Sequence, residues 1–198
     1  MYVIFPNVKT KYDQFMQPIS HFFHIKLKMN PNQVSVFGFL LGLVSVGLIL
    51  LSYWQIGIVM MMISLFVDGI DGNIARVYGL ESKTGEKLEL IFDRTLEALI
   101  FLALAIYFEI NYLLVFLAIY SILLMTSVRD KTKFDPGLKR IALLFCIAIS
   151  FELIFTLVFF VHIGSFILQL CILDYKNQEI RPGIQEQHKT INKEGKLK

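Results

Sequence analysis

Long apolar runs separated by short polar clusters dominate the chain, and the run lengths set the first reading. A stretch from about Val34 to Tyr53 is close to the roughly 20 residues a helix needs to cross a bilayer. A second begins near Gly57 and meets Asp68 after about a dozen apolar residues. If its helix continues through Arg76, both Asp68 and Asp71 lie inside the bundle. Val77 to Thr84 reads as a short polar connection. A third run spans about Glu86 to Phe108, turns at Glu109-Ile-Asn111, and a fourth returns to about Val128. Past a basic loop, the 36 residues from Leu138 to Leu173 suffice for two shortish spans, with a turn around Ser150 to Phe155. Ahead of all these, Tyr12, Phe15, Met16, Ile19, Phe22, Phe23 and Leu27 recur at helical spacing, opposed by Gln14, Gln17, His21 and His24. That pattern predicts an amphipathic helix over about residues 11 to 28, lying in the membrane interface. Asn30 and Pro31 end it and start the first span, with Asn30 able to cap it. The fold expected is an all-α integral membrane protein, six transmembrane helices preceded by an amphipathic interfacial helix.

Composition agrees with that reading, since 56% of residues are hydrophobic and 18% charged, far from an average soluble domain. The net charge of +3 is small, but its placement orients the chain. All 19 Lys and Arg fall in the N-terminal segment, in alternate connections with their helix ends, or in the tail. None lies near Trp54, near Asn111, or between Phe151 and His162. The positive-inside rule then turns those three places outward and puts both termini in the cytoplasm. Residues 1–30 form the interfacial segment, 31–175 the six-helix domain, and 176–198 a polar tail whose composition predicts disorder. Gly38, Gly42 and Gly47 are spaced for close helix contact. Cys146 and Cys171 sit in apolar runs as packing residues, with no disulfide framework expected. The first residues lack the basic and apolar regions of a cleavable signal peptide.

One polar stretch interrupts this pattern, from Asp68 to Asp93. Asp68 and Asp71 are three residues apart at the end of one run, and Glu89 and Asp93 are four apart at the start of the next, so each pair shares a helix face. Glu97 extends the second stripe by a turn. Ionisable groups inside spans are costly and mark function by default. Carboxylates without clustered Cys or His favour hard cations, Mg²⁺ or Mn²⁺, and this many could hold two ions around a phosphoryl group. Arg76 offers a positive charge suited to a phosphate, and Gly72 lets a ligand approach the backbone. A bland alternative is that the acids pair with Lys87, Arg76 and Arg94; for Glu97 with Arg94, at i, i+3, that pairing is the favoured reading. His21 and His24 could ligate a metal as an i, i+3 pair, but a wet polar face is the simpler reading.

The stretch resembles the CDP-alcohol phosphotransferase family, whose pattern is D-x2-D-G-x2-A-R-x8-G-x3-D-x3-D. Here Asp68, Asp71, Gly72, Ala75, Arg76, Gly85 and Asp93 match at the right spacings, seven of eight fixed positions across 26 residues. Glu89 stands where the family has its third aspartate, keeping the charge but reaching roughly 1.5 Å further. The resemblance implies transfer of a phosphatidyl-type group from a CDP-linked lipid, such as CDP-diacylglycerol, to a polar alcohol with release of CMP. By position it implies that Asp68, Asp71, Glu89 and Asp93 hold two Mg²⁺ or Mn²⁺ ions and that Asp93 is the base. It assigns nucleotide contacts to Asn32, Ser35, Gly72, Arg76 and Ser82, although Asn32 and Ser35 could equally cap a helix. A basic cluster with Arg129, Lys131 and Arg140 suits a phosphorylated acceptor such as glycerol phosphate or inositol phosphate, or merely obeys the positive-inside rule. The end of the sixth span lacks the arginines that inositol-phosphate-type relatives tend to carry. The partners implied are the lipid donor, the alcohol, membrane lipid and a second copy in a homodimer, with no nucleic acid, and the active site faces the cytoplasm. Two other classes remain open: a non-catalytic CDP-lipid or metal binder disabled by Glu89, and a small cation transporter using the acids as an ion path.

Overall fold

The computed structural model describes residues 6–132, 143 and 149–194, with side chains for 13–128, 143 and 149–175. Its elements are helical: α1 (Pro6–His21), a five-residue π turn (Phe22–Lys26), α2 (Pro31–Leu50), α3 (Trp54–Val77), α4 (Lys83–Tyr107), α5 (Tyr112–Thr132) and α6 (Phe151–Glu194). No strand occurs among the described residues.

Helix starts and stops follow local chemistry. Pro31 occupies the first turn of α2, where its missing N–H costs nothing, and Gln33 Oε1 accepts from the Asn30 backbone N–H at 2.9 Å. Helix α3 closes at Gly79 (φ 65°), with the Leu80 N–H bonded to the Ala75 carbonyl at 2.8 Å. That left-handed C-terminal wrap suits glycine. The same wrap closes α2 through Ser52 (φ 71°) and α4 through Glu109 (φ 52°), with no glycine at either place.

Three described helical stretches are long and apolar enough to cross a membrane: Pro31–Leu50, Trp54–Val77 and Phe151–Tyr175, with Tyr112–Val128 a shorter apolar one. The first half of α4 carries Lys83, Glu86, Lys87, Glu89, Asp93 and Arg94 and is correspondingly polar. The fifth expected span lies mostly outside the described residues. Helix α6 begins at Phe151, at the expected turn, and its backbone continues to Glu194 across the segment whose composition predicts disorder. Extending an existing helix avoids the nucleation cost that a separate one would face.

Helices α2 and α3 pack most intimately, α4 lies against α2, α5 against α6 and α4, and α1 against α3. Lipid tails are as apolar as leucine, so close packing and interhelical hydrogen bonds do the joining. The Ser45 hydroxyl donates to the Gly57 carbonyl and the Ser64 hydroxyl to the Gly38 carbonyl, each at 2.8 Å. A Cβ on Gly42 would stand 2.5 Å from Leu96 Cδ1, so Leu96 of α4 packs into the space that this glycine leaves. Gly47, expected to serve the same purpose, meets nothing within 4 Å among the described residues. Cys171 is exposed, not packed, and Cys146 is outside the described residues. The main core gathers Ile49, Met61, Leu96, Ile100, Phe101 and Phe155, and a smaller one joins Met16 of α1 to Val34, Val67, Ile70 and Ile74.

Candidate active site

The connectivity brings the start of α2, the end of α3 and the start of α4 to one end of the bundle, and each delivers part of the acidic stretch. Asp71 faces inward and is 3% exposed; Asp68 and Asp93 are half-buried, and Glu89 is exposed. The Ser35 hydroxyl, buried on α2, donates to Asp71 Oδ2 and lies 3.2 Å from the Pro31 carbonyl. Ser35 is therefore a partner of the acids and not a helix cap. Asp71 Oδ1 is buried with no hydrogen-bond partner among the described residues. Asp68 and Glu89 stand near enough for their charges to act on Asp71.

A buried carboxylate oxygen left without a donor, with like charges beside it, is costly unless a cation compensates. The all-oxygen donor set and this orphaned oxygen fit a hard divalent ion. Among the described residues no three acidic, His or Cys side chains stand together at ligating spacing. Glu97, the next acid along α4, is buried and pairs with Arg94, which removes it from this set as its spacing suggested.

The residues tied by resemblance to the nucleotide fall into two groups around the acids. Ser82 is the N-cap of α4, its hydroxyl accepting from the Gly85 N–H at 3.0 Å. A Cβ on Gly85 would stand 3.0 Å from both Ser82 Oγ and Asn32 Oδ1, so the starts of α2 and α4 meet at this glycine. Asn32 is exposed there, and Asn30, not Asn32, holds the N-cap position of α2. On α3, Arg76 forms an ion pair with Asp13 of α1 at 2.7 Å, and a Cβ on Gly72 would stand 3.1 Å from Arg76 Nη1. Of the acceptor candidates, Arg129 and Lys131 lie on the α5 backbone with side chains outside the described residues, and Arg140 is outside them altogether.

Three participants escaped the sequence reading. A Cβ on Gly38 would stand 2.7 Å from Asp68 Oδ1, so this glycine makes room for a site carboxylate as well as for a helix. Asn73 is fully buried within the motif and donates to Asp13 Oδ1 at 2.9 Å. Asp13 lies three residues before buried Met16, in register with the face of α1 that docks on α3, and that register was the available signal. His21 Nδ1 lies 3.0 Å from the Tyr78 hydroxyl, and His24 Nδ1 lies 3.0 Å from the Met29 carbonyl with its ring 4.3 Å from that of Tyr78. Both histidines thus have protein partners and dock the π turn on the end of α3.

The family model of CDP-alcohol phosphatidyltransferase matches residues 28–173. An uncharacterised protein of Aquifex aeolicus is 33% identical over 121 residues, which are 58% of this chain and 61% of that one. A bifunctional IPC transferase and DIPP synthase of Thermococcus kodakarensis is 42% identical over 84 residues, covering 42% of this chain and 19% of that protein. The chain thus spans less than two thirds of either relative. Among solved structures, phosphatidylinositol phosphate synthase of Mycobacterium tuberculosis with CDP-DAG bound superposes with a TM-score of 0.68 at 13% identity, covering 79% of this chain and 92% of that one. At that identity the likeness is one of fold.

Proposed function

The chain belongs to the CDP-alcohol phosphatidyltransferase family, and from that premise we propose that it is a membrane enzyme moving a phosphatidyl-type group from a CDP-linked lipid to a polar alcohol, with release of CMP. The observation that carries this reading is Asp71 of α3, buried against Ser35 of α2 with one carboxylate oxygen that has no hydrogen-bond partner among the described residues. The synthase of like fold with CDP-DAG bound supports a CDP-lipid donor.

In this reading Asp68, Asp71, Glu89 and Asp93 would hold Mg²⁺ or Mn²⁺, and such an ion would supply neutralisation of charge on the diphosphate and its leaving group. Asp93 takes the proton from the acceptor hydroxyl as its oxygen attacks the lipid-side phosphorus. The new P–O bond forms as the bond to CMP breaks, and CMP leaves with the electron pair. Ser35 orients Asp71, Arg76 faces the donor's phosphates, and Asn32 with Ser82 frames the nucleotide at the start of α2 and α4. Glu89 serves in place of aspartate, its longer arm reaching in from an exposed position on α4. In this reading the apolar runs make six spans, and the distribution of Lys and Arg puts the termini and the site on the cytoplasmic side. The acceptor is a small polar alcohol, with Arg129, Lys131 and Arg140 suited to a phosphorylated one.

Purified protein supplied with CDP-diacylglycerol, Mg²⁺ or Mn²⁺ and a panel led by glycerol phosphate and inositol phosphate is expected to release CMP with at least one acceptor. Silence across the panel would sink the proposal.

A further inference from the structure

Helix α1 is bonded to the turn of α3 that carries the motif glycine and arginine. Asp13 Oδ1 accepts from Arg76 Nη2 at 2.7 Å, and Oδ2 accepts from Nε at 3.4 Å. The Asn73 amide donates to the same Oδ1 at 2.9 Å and approaches the Asp13 carbonyl at 3.3 Å. Two donors three residues apart, on one face of α3, therefore converge on one carboxylate. The paired side chains of Arg76 and Asp13 retain only 22% and 23% of their exposure, so the pair is better shielded than an open surface ion pair.

The orientation of the pair matters more than its strength. A guanidinium presents its donors in a rigid plane. Asp13 engages the Nε–Nη2 edge, while Nη1 is the nitrogen turned to Gly72, 3.1 Å from where a Cβ would stand. Gly72 is where a ligand can come close to the backbone of α3. We propose that Asp13 is a positioning residue: it holds the Arg76 guanidinium by one edge so that Nη1 is presented over Gly72 to the phosphates of the nucleotide, which makes α1 a part of the donor site. This rests on the reading of Arg76 as a nucleotide contact. A clamped arginine is ordered before the ligand arrives, whereas an unclamped one must be ordered by it. The effect therefore falls on donor binding and not on the chemical step.

The test uses the full chain in nanodiscs, with CMP binding measured by titration in Mg²⁺ and CMP release measured with CDP-diacylglycerol. Asp13→Asn keeps the shape of the side chain and the packing of α1 but removes the charge. It is expected to raise the Kd for CMP and the donor KM about tenfold, with kcat at saturating donor within about twofold of wild type. Met16→Ala, which loosens the apolar docking of α1 without touching the clamp, is expected to leave the Kd near wild type. The proposal is overturned if Asp13→Asn binds CMP like wild type, if kcat falls with KM unmoved, or if Met16→Ala raises the Kd equally. A wild type that binds CMP yet releases none sinks the phosphotransfer reading and leaves the comparison of Kd values standing. One that binds no CMP overturns both.

Discussion

Where α3 begins and α4 closes, Trp54, Phe108 and Phe151 meet ring to ring, with centroids 4.6 to 6.1 Å apart. At the opposite end Ser35, Asp71, Asn73, Arg76 and Asp13 form a polar network, with Asp68 and Glu89 beside it. Helices α3 and α4 run between the two ends, with α6 joining them at the aromatic end and α1 and α2 at the polar one. The aromatic end and the core beneath it gain from dense packing, which tolerates no special geometry beyond shape. The acidic end keeps like charges close together and leaves Asp71 Oδ1 buried with no hydrogen-bond partner among the described residues, an arrangement that costs stability. Natural proteins retain such features at functional sites and compensate for them elsewhere.

Substitutions at the two ends should separate activity from stability. The largest effect is expected from Asp93→Asn, which removes the proposed base and should lower CMP release by about a thousandfold, while thermal inactivation stays near wild type. An unchanged rate would remove Asp93 from the chemistry. At the other end Phe155→Ala, which empties a fully buried site 4.8 Å from the Phe101 ring, should cost about 3 kcal/mol, read as faster thermal inactivation. Turnover per folded molecule should persist, and a matching loss of kcat would mean the ends are not separable. Gly38→Ala tests the boundary between them. Its Cβ would press on Asp68 Oδ1, so about a tenfold loss of activity is expected with a stability cost of about 1 to 2 kcal/mol. The smallest effect belongs to Ser45→Ala, which removes one hydrogen bond to Gly57 and should cost about 0.6 kcal/mol, with donor KM unmoved.

Much of this contrast could be seen in the sequence, because both of its carriers act through spacing. Apolar runs of spanning length gave the helices, and i, i+3 and i, i+4 acids gave the face. The Arg94–Glu97 pair also followed from spacing. The end of α3 falls in the polar connection expected over Val77 to Thr84, where Gly79 takes the left-handed residue, whereas Ser52 and Glu109 do the same work without glycine. Asp13 was hidden for a different reason. Its partners Asn73 and Arg76 lie about 60 residues away, and only the docking of α1 on α3 brings them together. Gly38 read as a packing glycine, since nothing in its own neighbourhood points to Asp68. Gly47 has the same spacing but meets no atom within 4 Å among the described residues.

The central claim is that the acids of α3 and α4 form one metal-dependent phosphotransfer site. It is tested most directly by CMP release from CDP-diacylglycerol, with the responsive acceptor, as Mg²⁺ is titrated into metal-free wild type and Asp71→Asn. Release that rises to saturation with Mg²⁺ in the wild type, and stays at background in Asp71→Asn at every concentration, is the expected result. Release that proceeds equally in excess chelator, or an Asp71→Asn curve that overlays the wild type, would contradict it.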